Sequence, residues 1–144
     1  MKVLLDTSIL IAGFIESHTK HEKAMEYFKK ALKGKISVYV ASHSIAECYA
    51  VLTRIPVIPK ISPTIAYQII AENISKIATL ISISESEYLS VLKELSELGL
   101  SGGIVYDAII LKSAQKAKVD KLLTLNPRDF IRLSLGNEKF ILEL

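Results

Sequence analysis

Short apolar runs alternate with helical segments along almost the whole chain, and this alternation constrains the fold more than any other feature. The runs are rich in aliphatic and β-branched residues, which is typical of buried strands. They span residues 3–5, 36–40, 80–83, 121–125 and 140–144. Strands joined by helical crossovers form right-handed units with a parallel sheet. The sequence therefore predicts an α/β fold, with a mostly parallel central sheet of four to five strands flanked by helices and residues 140–144 as an edge strand.

Length and composition limit the classes of protein that need to be considered. The chain has 144 residues, half of them hydrophobic, which predicts a single domain over residues 1–144. Cys48 is the one cysteine, so an internal disulfide and a cysteine-based zinc site are excluded, and a buried position is expected. No apolar run reaches the roughly 18 residues of a membrane span, so we expect a cytoplasmic protein without a membrane partner. The net charge of +3 permits a polyanionic partner without requiring one.

Polar side chains with oxygen ligands follow several of the predicted strands. Asp6 comes after the first strand, Glu47 lies in the first turns of the helix after the second, and Asn126 follows the fourth. Ligands of open α/β sheets bind outside the carboxyl ends of the strands, so these side chains are expected in one crevice. Each acid also has a structural interpretation. Asp6 suits the N-cap of a helix, and Glu47 has capping-box spacing from Ser44.

Asp107 is the acid that local structure explains least well. It lies in the predicted helix 104–117, with Ile104 and Leu111 on the same helix face. Burial of a carboxylate is tolerated when it is paired or binds a metal, so a salt bridge to a lysine is the structural alternative. Asp129 is a further acid near a strand end, although the neighbouring Arg128 gives it an ordinary structural use.

Carboxylates that share one crevice repel one another unless a cation lies between them. Oxygen-rich sites suit Mg²⁺ or Mn²⁺, which bind through a few carboxylates and retain water molecules. Such ions activate water and stabilise charge on a phosphate. The acids therefore predict phosphodiester hydrolysis without a nucleophile from the protein.

Several segments occur in an order that resembles the PIN-domain family, and most closely its VapC-like toxin branch. They are LDTS at 5–8, SIAE at 44–47, YDA at 106–108, LLTLN at 122–126 and PRDF at 127–130. The resemblance extends over nearly the whole chain. It implies a PIN-like fold, dependence on Mg²⁺ or Mn²⁺, endonucleolytic cleavage of RNA, a cognate antitoxin that covers the crevice, and a homodimer.

The resemblance also implies roles for particular residues. The metal-binding and catalytic acids are Asp6, Glu47 and Asp107. Hydrogen bonds from Thr7 or Ser8, and from Thr124, orient these acids. The family's fourth acidic position falls on Asn126, which offers a metal ligand without charge, and Asp129 is expected to compensate.

Other interpretations remain open from the sequence. Asn126 makes a catalytically weak or silent RNA-binding module a credible alternative, and an RNA-processing nuclease without an antitoxin is another. A phosphatase with Asp6 as nucleophile is less favoured, because Ser8 stands where a second acid is expected. His43 is spaced to reach the crevice rim, but core packing or helix capping is favoured. The tyrosines in apolar segments are also predicted to be core residues rather than RNA-stacking residues; they are Tyr39, Tyr49 and Tyr106.

Overall fold

The computed structural model describes all 144 residues and contains five strands and seven α-helices. In chain order these are β1 Lys2–Leu5, α1 Thr7–Phe14, α2 His21–Leu32, β2 Ser37–Ala41, α3 Ser42–Leu52, α4 Pro63–Ile77, β3 Thr79–Ile81, α5 Glu85–Glu97, α6 Ile104–Lys116, β4 Lys121–Thr124, α7 Pro127–Leu133 and β5 Ile141–Glu143. One turn of 3-10 helix, Glu138–Phe140, precedes β5.

The strands form one sheet in the order β3-β2-β1-β4-β5, and every neighbouring pair is parallel. The predicted α/β class and the edge position of the last strand are therefore confirmed. The chain builds outward from β1 through β2 to β3, then returns to the other side of β1 to form β4. This reversal of direction places a crevice between the carboxyl ends of β1 and β4, where open sheets bind their ligands.

Side chains that alternate along β1 serve two separate cores. Val3 and Leu5 pack on one face with residues of α1 to α4, whereas Leu4 packs on the other face against α6 and α7. All three are fully buried. Helices on both faces explain why this strand is continuously apolar, and the two cores hold β1 at the centre of the sheet.

The order of the elements agrees with the prediction, but some helices begin at other residues than predicted. The apolar segment 9–15 predicts a first helix from Ile9, but α1 begins at Thr7. The helical spacing over 18–32 predicts a helix from His18, but α2 begins at His21. Ser84 and Glu87 have capping-box spacing in the sequence, and the box is present at the start of α5, where each side chain accepts a hydrogen bond from the other's backbone N–H. None of the helices combines the length and the apolar character that a membrane span requires.

Candidate active site

A cleft of about 440 Å³ opens at the carboxyl ends of β1 and β4. Its lining includes Asp6, Glu47, Asp107 and Asn126, which are four of the five oxygen ligands proposed from the sequence. Asp6 directly follows β1, Glu47 lies on α3, Asp107 on α6, and Asn126 directly follows β4. The fold therefore brings together acids that are up to 101 residues apart, the difference between positions 6 and 107.

Asp6 is nearly fully buried, and hydrogen bonds fix its carboxylate. Its Oδ2 accepts hydrogen bonds from Ser8 Oγ and Thr124 Oγ1, each at 2.8 Å. Asp6 occupies the N-cap position of α1, but its side chain bonds no amide of that helix. The capping interpretation is therefore wrong for the side chain. Both hydrogen bonds fall on Oδ2, which leaves Oδ1 without a partner in the protein.

The two hydroxyl groups that hold Asp6 are themselves oriented by the backbone after β4. Ser8 Oγ accepts from the Leu125 N–H, and Thr124 Oγ1 accepts from the Asn126 N–H, each at 3.0 Å. An oxygen that accepts from an amide directs its own hydrogen elsewhere, here toward the ionised acceptor. The carboxylate of Asp6 thus belongs to a network that joins the ends of β1 and β4.

Glu47 is held from α1, across the cleft. Its Oε1 accepts a hydrogen bond of 2.9 Å from Thr7 Oγ1. The capping-box interpretation is wrong, because α3 begins at Ser42 and Ser44 already lies inside the helix. The Ser44 hydroxyl is buried without a hydrogen-bond partner. Glu47 is therefore directed toward α1 and the cleft.

Asp107 is half-buried in the first turn of α6 and forms no salt bridge. The lysine pairing offered as its structural alternative is therefore absent. Burial, as the largest cause, and the negative charges of Asp6, Asp129 and Glu47 together raise the pKa of Asp107 to about 7. Asp107 consequently lies in a field of uncompensated negative charge.

Asn126 and Asp129 occupy different positions relative to this field. Asn126 is exposed at the rim of the cleft. Asp129 lies outside the lining and forms a 3.2 Å ion pair with Arg132, one helical turn later, and not with Arg128. It still contributes to the raised pKa of Asp107, so its charge reaches the cleft without lining it.

Two side chains near Glu47, His43 and Tyr106, form a contact that the sequence did not predict. The rings of His43 and Tyr106 are stacked, with centroids 5.0 Å apart and an interplanar angle of 8°. The prediction that Tyr49 and Tyr106 are core residues is wrong, since their exposed fractions are 43% and 49%. The spacing of four residues between His43 and Glu47, which places both on one face of α3, was the sequence signal that His43 lies near Glu47.

Cys48, next to Glu47, is fully buried as predicted. Burial raises its pKa to about 12, and the charges of Glu47 and Asp6 act in the same direction. The side chain therefore remains a neutral thiol at physiological pH and does not supply a nucleophile.

The donor set of the cleft consists of carboxylate and amide oxygens, the ligand type that Mg²⁺ and Mn²⁺ prefer. Three carboxylates line one cleft, and Oδ1 of Asp6 is without a protein partner. In their present positions, no three His, Cys, Asp or Glu side chains converge closely enough to hold a metal ion. The chemistry of the donors fits a divalent cation, whereas a closed cage of protein ligands is not formed.

Comparison with known families accounts for this arrangement. The PIN domain model matches residues 3–135. The chain belongs to the PIN domain family. The matched region includes every acid of the cleft, together with Asn126 and Asp129.

Individual PIN domain proteins place the chain in the VapC-like branch. It is 32% identical over 123 residues to Ribonuclease VapC40 of Mycobacterium tuberculosis, covering 85% of each chain. It is 27% identical over 116 residues to Ribonuclease VapC27 of the same organism, covering 81% of this chain and 79% of the relative. Its fold matches a chain in the crystal structure of VapBC2 from Rickettsia felis bound to a DNA fragment from their promoter, with a TM-score of 0.67 and 18% identity. That match covers 100% of this chain and 99% of the other.

Proposed function

We propose that this PIN domain protein is an Mg²⁺- or Mn²⁺-dependent endoribonuclease that acts as the toxin of a toxin-antitoxin pair. The observation that carries the proposal is that Asp6, Glu47 and Asp107 all line one cleft, where the pKa of Asp107 is raised to about 7. Clustered carboxylates of this kind are stabilised by a cation. The names of the relatives VapC40 and VapC27 supply the substrate class, RNA.

Each residue of the cleft would offer a different oxygen ligand to a cation. Asp6 presents Oδ1, because Ser8 and Thr124 hold Oδ2. Glu47 and Asp107 complete the acidic set, and Asn126 offers an uncharged oxygen at the rim. Bound there, a divalent ion supplies activation of a water molecule and stabilisation of charge on the scissile phosphate.

Asp129 lies outside the cleft, and this favours the three acids that line the cleft as the principal cation site. Its carboxylate lies outside the lining and is engaged by Arg132 at 3.2 Å. Asn126 contributes no charge where the family often has an acid. We therefore assign catalysis to Asp6, Glu47 and Asp107, with Asn126 and Asp129 as accessory ligands at most through water.

An aspartyl phosphatase fits the cleft less well than a nuclease. The Ser8 hydroxyl donates to Asp6 at 2.8 Å and so occupies the place where a second acid is expected. An RNA-binding module without turnover is the more serious alternative, because the protein donors do not form a closed metal cage. It predicts RNA binding without cleavage in either ion.

The test is cleavage of a pool of labelled RNAs by the purified protein in Mg²⁺, in Mn²⁺ and in EDTA. Wild type is expected to cleave only with a divalent ion, and Asp6→Asn and Asp107→Asn are expected to lose at least about 100-fold in rate. Glu72→Gln is the matched control, since Glu72 is an exposed acid of α4 outside the cleft. Cleavage that persists in both cleft variants, or in EDTA, contradicts the proposal.

The antitoxin partner and the homodimer are further parts of the proposal. The structural relative in the VapBC2 complex supports an antitoxin partner, and we propose that this partner covers the cleft. We expect a small protein encoded next to this chain to co-purify with it and to suppress cleavage. Sedimentation of the isolated chain at a mass near twice 15.9 kDa tests the homodimer. A monomer at micromolar concentration contradicts that part alone.

A further inference from the structure

His43 lies one helical turn before Glu47 on α3, and its ring faces the carboxylate of Glu47. The distance from His43 Nε2 to Glu47 Oε1 is 3.5 Å, which is longer than a good hydrogen bond. Nε2 is buried and has no hydrogen-bond partner. A buried donor without a partner is unfavourable, so a small approach of Glu47 toward His43 is favoured.

Tyr106 fixes the plane of the His43 ring. The two rings stack at 5.0 Å and 8°, and Tyr106 directly precedes Asp107 on α6. The stacked pair therefore joins the two helices that carry Glu47 and Asp107. A change in the spacing of these helices shifts the His43 ring and the two acids together.

Thr7 and His43 reach the same oxygen of Glu47. Thr7 Oγ1 donates to Oε1 at 2.9 Å, and His43 Nε2 lies 3.5 Å from Oε1. Both groups therefore lie on the Oε1 side of the carboxylate, and Oε2 has no protein partner. At Asp6, two full hydrogen bonds from Ser8 and Thr124 fall on Oδ2 and leave Oδ1 free. At Glu47, only the bond from Thr7 is formed, and His43 is the second donor within reach.

From this geometry we infer that His43 is a positioning residue for Glu47. Held by Tyr106, it would donate its Nε2 proton to Oε1 once Glu47 moves closer, and Oε2 would then be the oxygen free to bind a cation in the cleft. The inference rests on the proposed function, because it assigns Glu47 as a ligand of that cation. Outer groups that hydrogen-bond a ligand orient it and tune its affinity for the metal.

Packing alone is the competing explanation for His43. Its side chain is only 20% exposed, and its other side borders a cavity of about 70 Å³ near Ser82 and Tyr88. A phenylalanine at position 43 keeps an aromatic ring and its stacking but has no N–H. A glutamine restores an N–H donor at a similar distance from the backbone. The two substitutions therefore separate packing from hydrogen bonding.

The experiment is Mn²⁺ binding to the purified protein without RNA, measured by isothermal titration or by the loss of the free-ion EPR signal. His43→Phe is expected to weaken Mn²⁺ binding by about tenfold, and His43→Gln to recover most of that loss. The melting temperatures of both variants should stay within about 3 °C of wild type. With RNA, His43→Phe should lower kcat and leave KM nearly unchanged.

Asp6→Asn and Glu72→Gln separate failure of this inference from failure of the proposed function. If Asp6→Asn binds Mn²⁺ like wild type and Glu72→Gln, the cation site itself is wrong. If Asp6→Asn loses Mn²⁺ but His43→Phe binds it as wild type does, only the role of His43 is overturned. Should His43→Phe fail to fold, Tyr106→Leu at the half-exposed position 106 replaces it. Unchanged Mn²⁺ affinity in that variant equally overturns the inference.

Discussion

The two sides of the cleft hold their acids in different ways. On the sheet side, Asp6 is buried and bound by Ser8 and Thr124, whose hydroxyls are oriented by backbone amides. On the helix side, Asp107 has no ion pair and a pKa raised to about 7. The sheet side therefore fixes the geometry of the site, whereas the helix side stores the electrostatic repulsion that a cation relieves. Substitutions on the two sides should have opposite effects on stability.

Among the substitutions that compare the stability of the two sides, the largest effect is expected from Thr124→Val on the sheet side. Valine has nearly the same shape but removes the donor to Asp6 and the acceptor of the Asn126 N–H. We expect a loss of about 10- to 100-fold in cleavage rate and of about 1–3 kcal/mol in stability. Single-turnover cleavage and urea unfolding measure the two quantities. Thr79→Val on the exposed edge strand is the control, and equal behaviour of the two variants would show that the hydroxyl of Thr124 is dispensable.

Asp107→Asn on the helix side should stabilise the metal-free protein. The folded-state pKa of about 7 lies above the usual 3.8, so ionisation of Asp107 opposes folding. The gain from Asn is expected to be absent below about pH 4, to grow between pH 4 and 7, and to be complete above pH 7. Because the side chain is only half-buried, we expect about 1 kcal/mol, or roughly 3 °C in melting temperature.

Thermal unfolding of both proteins in EDTA at pH 4.5 and pH 8 measures this difference. A gain for Asp107→Asn that is the same at both pH values contradicts the electrostatic account. Destabilisation at pH 8 would show that Asp107 has a favourable partner in the folded protein.

The smallest effect is expected from Asn126→Asp at the rim. The change adds a fourth carboxylate to the cleft lining, but at an exposed position where water screens its charge. We expect Mn²⁺ to bind about two- to fivefold more tightly, as isothermal titration can measure. Weaker binding in Asn126→Asp would place the cation away from the rim of β4.

The sequence predicted the order of the elements because the spacing of apolar residues and the residues typical of helix ends are both local features. It placed Asp6 and Glu47 near one crevice, since both follow neighbouring parallel strands. Local patterns also gave two wrong roles: helix capping by the Asp6 side chain, and a capping box formed by Ser44 and Glu47. The capping box at Ser44 failed because the helix begins at Ser42, and a shift of two residues in a helix start cannot be read from such short signals.

Long-range contacts account for what the sequence could not supply. Thr124 and Asp6 are 118 positions apart, and their hydrogen bond depends on the pairing of β1 with β4. Only the family resemblance suggested an orienting role for Thr124. The stacking of His43 on Tyr106 likewise depends on how α3 and α6 pack, which no periodicity reveals.

The central claim, that the acids of the cleft form a cation site, is tested most directly by the melting temperature with and without Mn²⁺. When the free Mn²⁺ concentration is 100 times the dissociation constant, binding of the ion stabilises the folded protein by about 2.7 kcal/mol. Wild type should therefore melt several degrees higher in Mn²⁺ than in EDTA. Asp107→Asn should melt higher than wild type in EDTA at pH 8 and gain little from Mn²⁺. No Mn²⁺-dependent rise in wild type, or an equal rise in both proteins, would contradict the account.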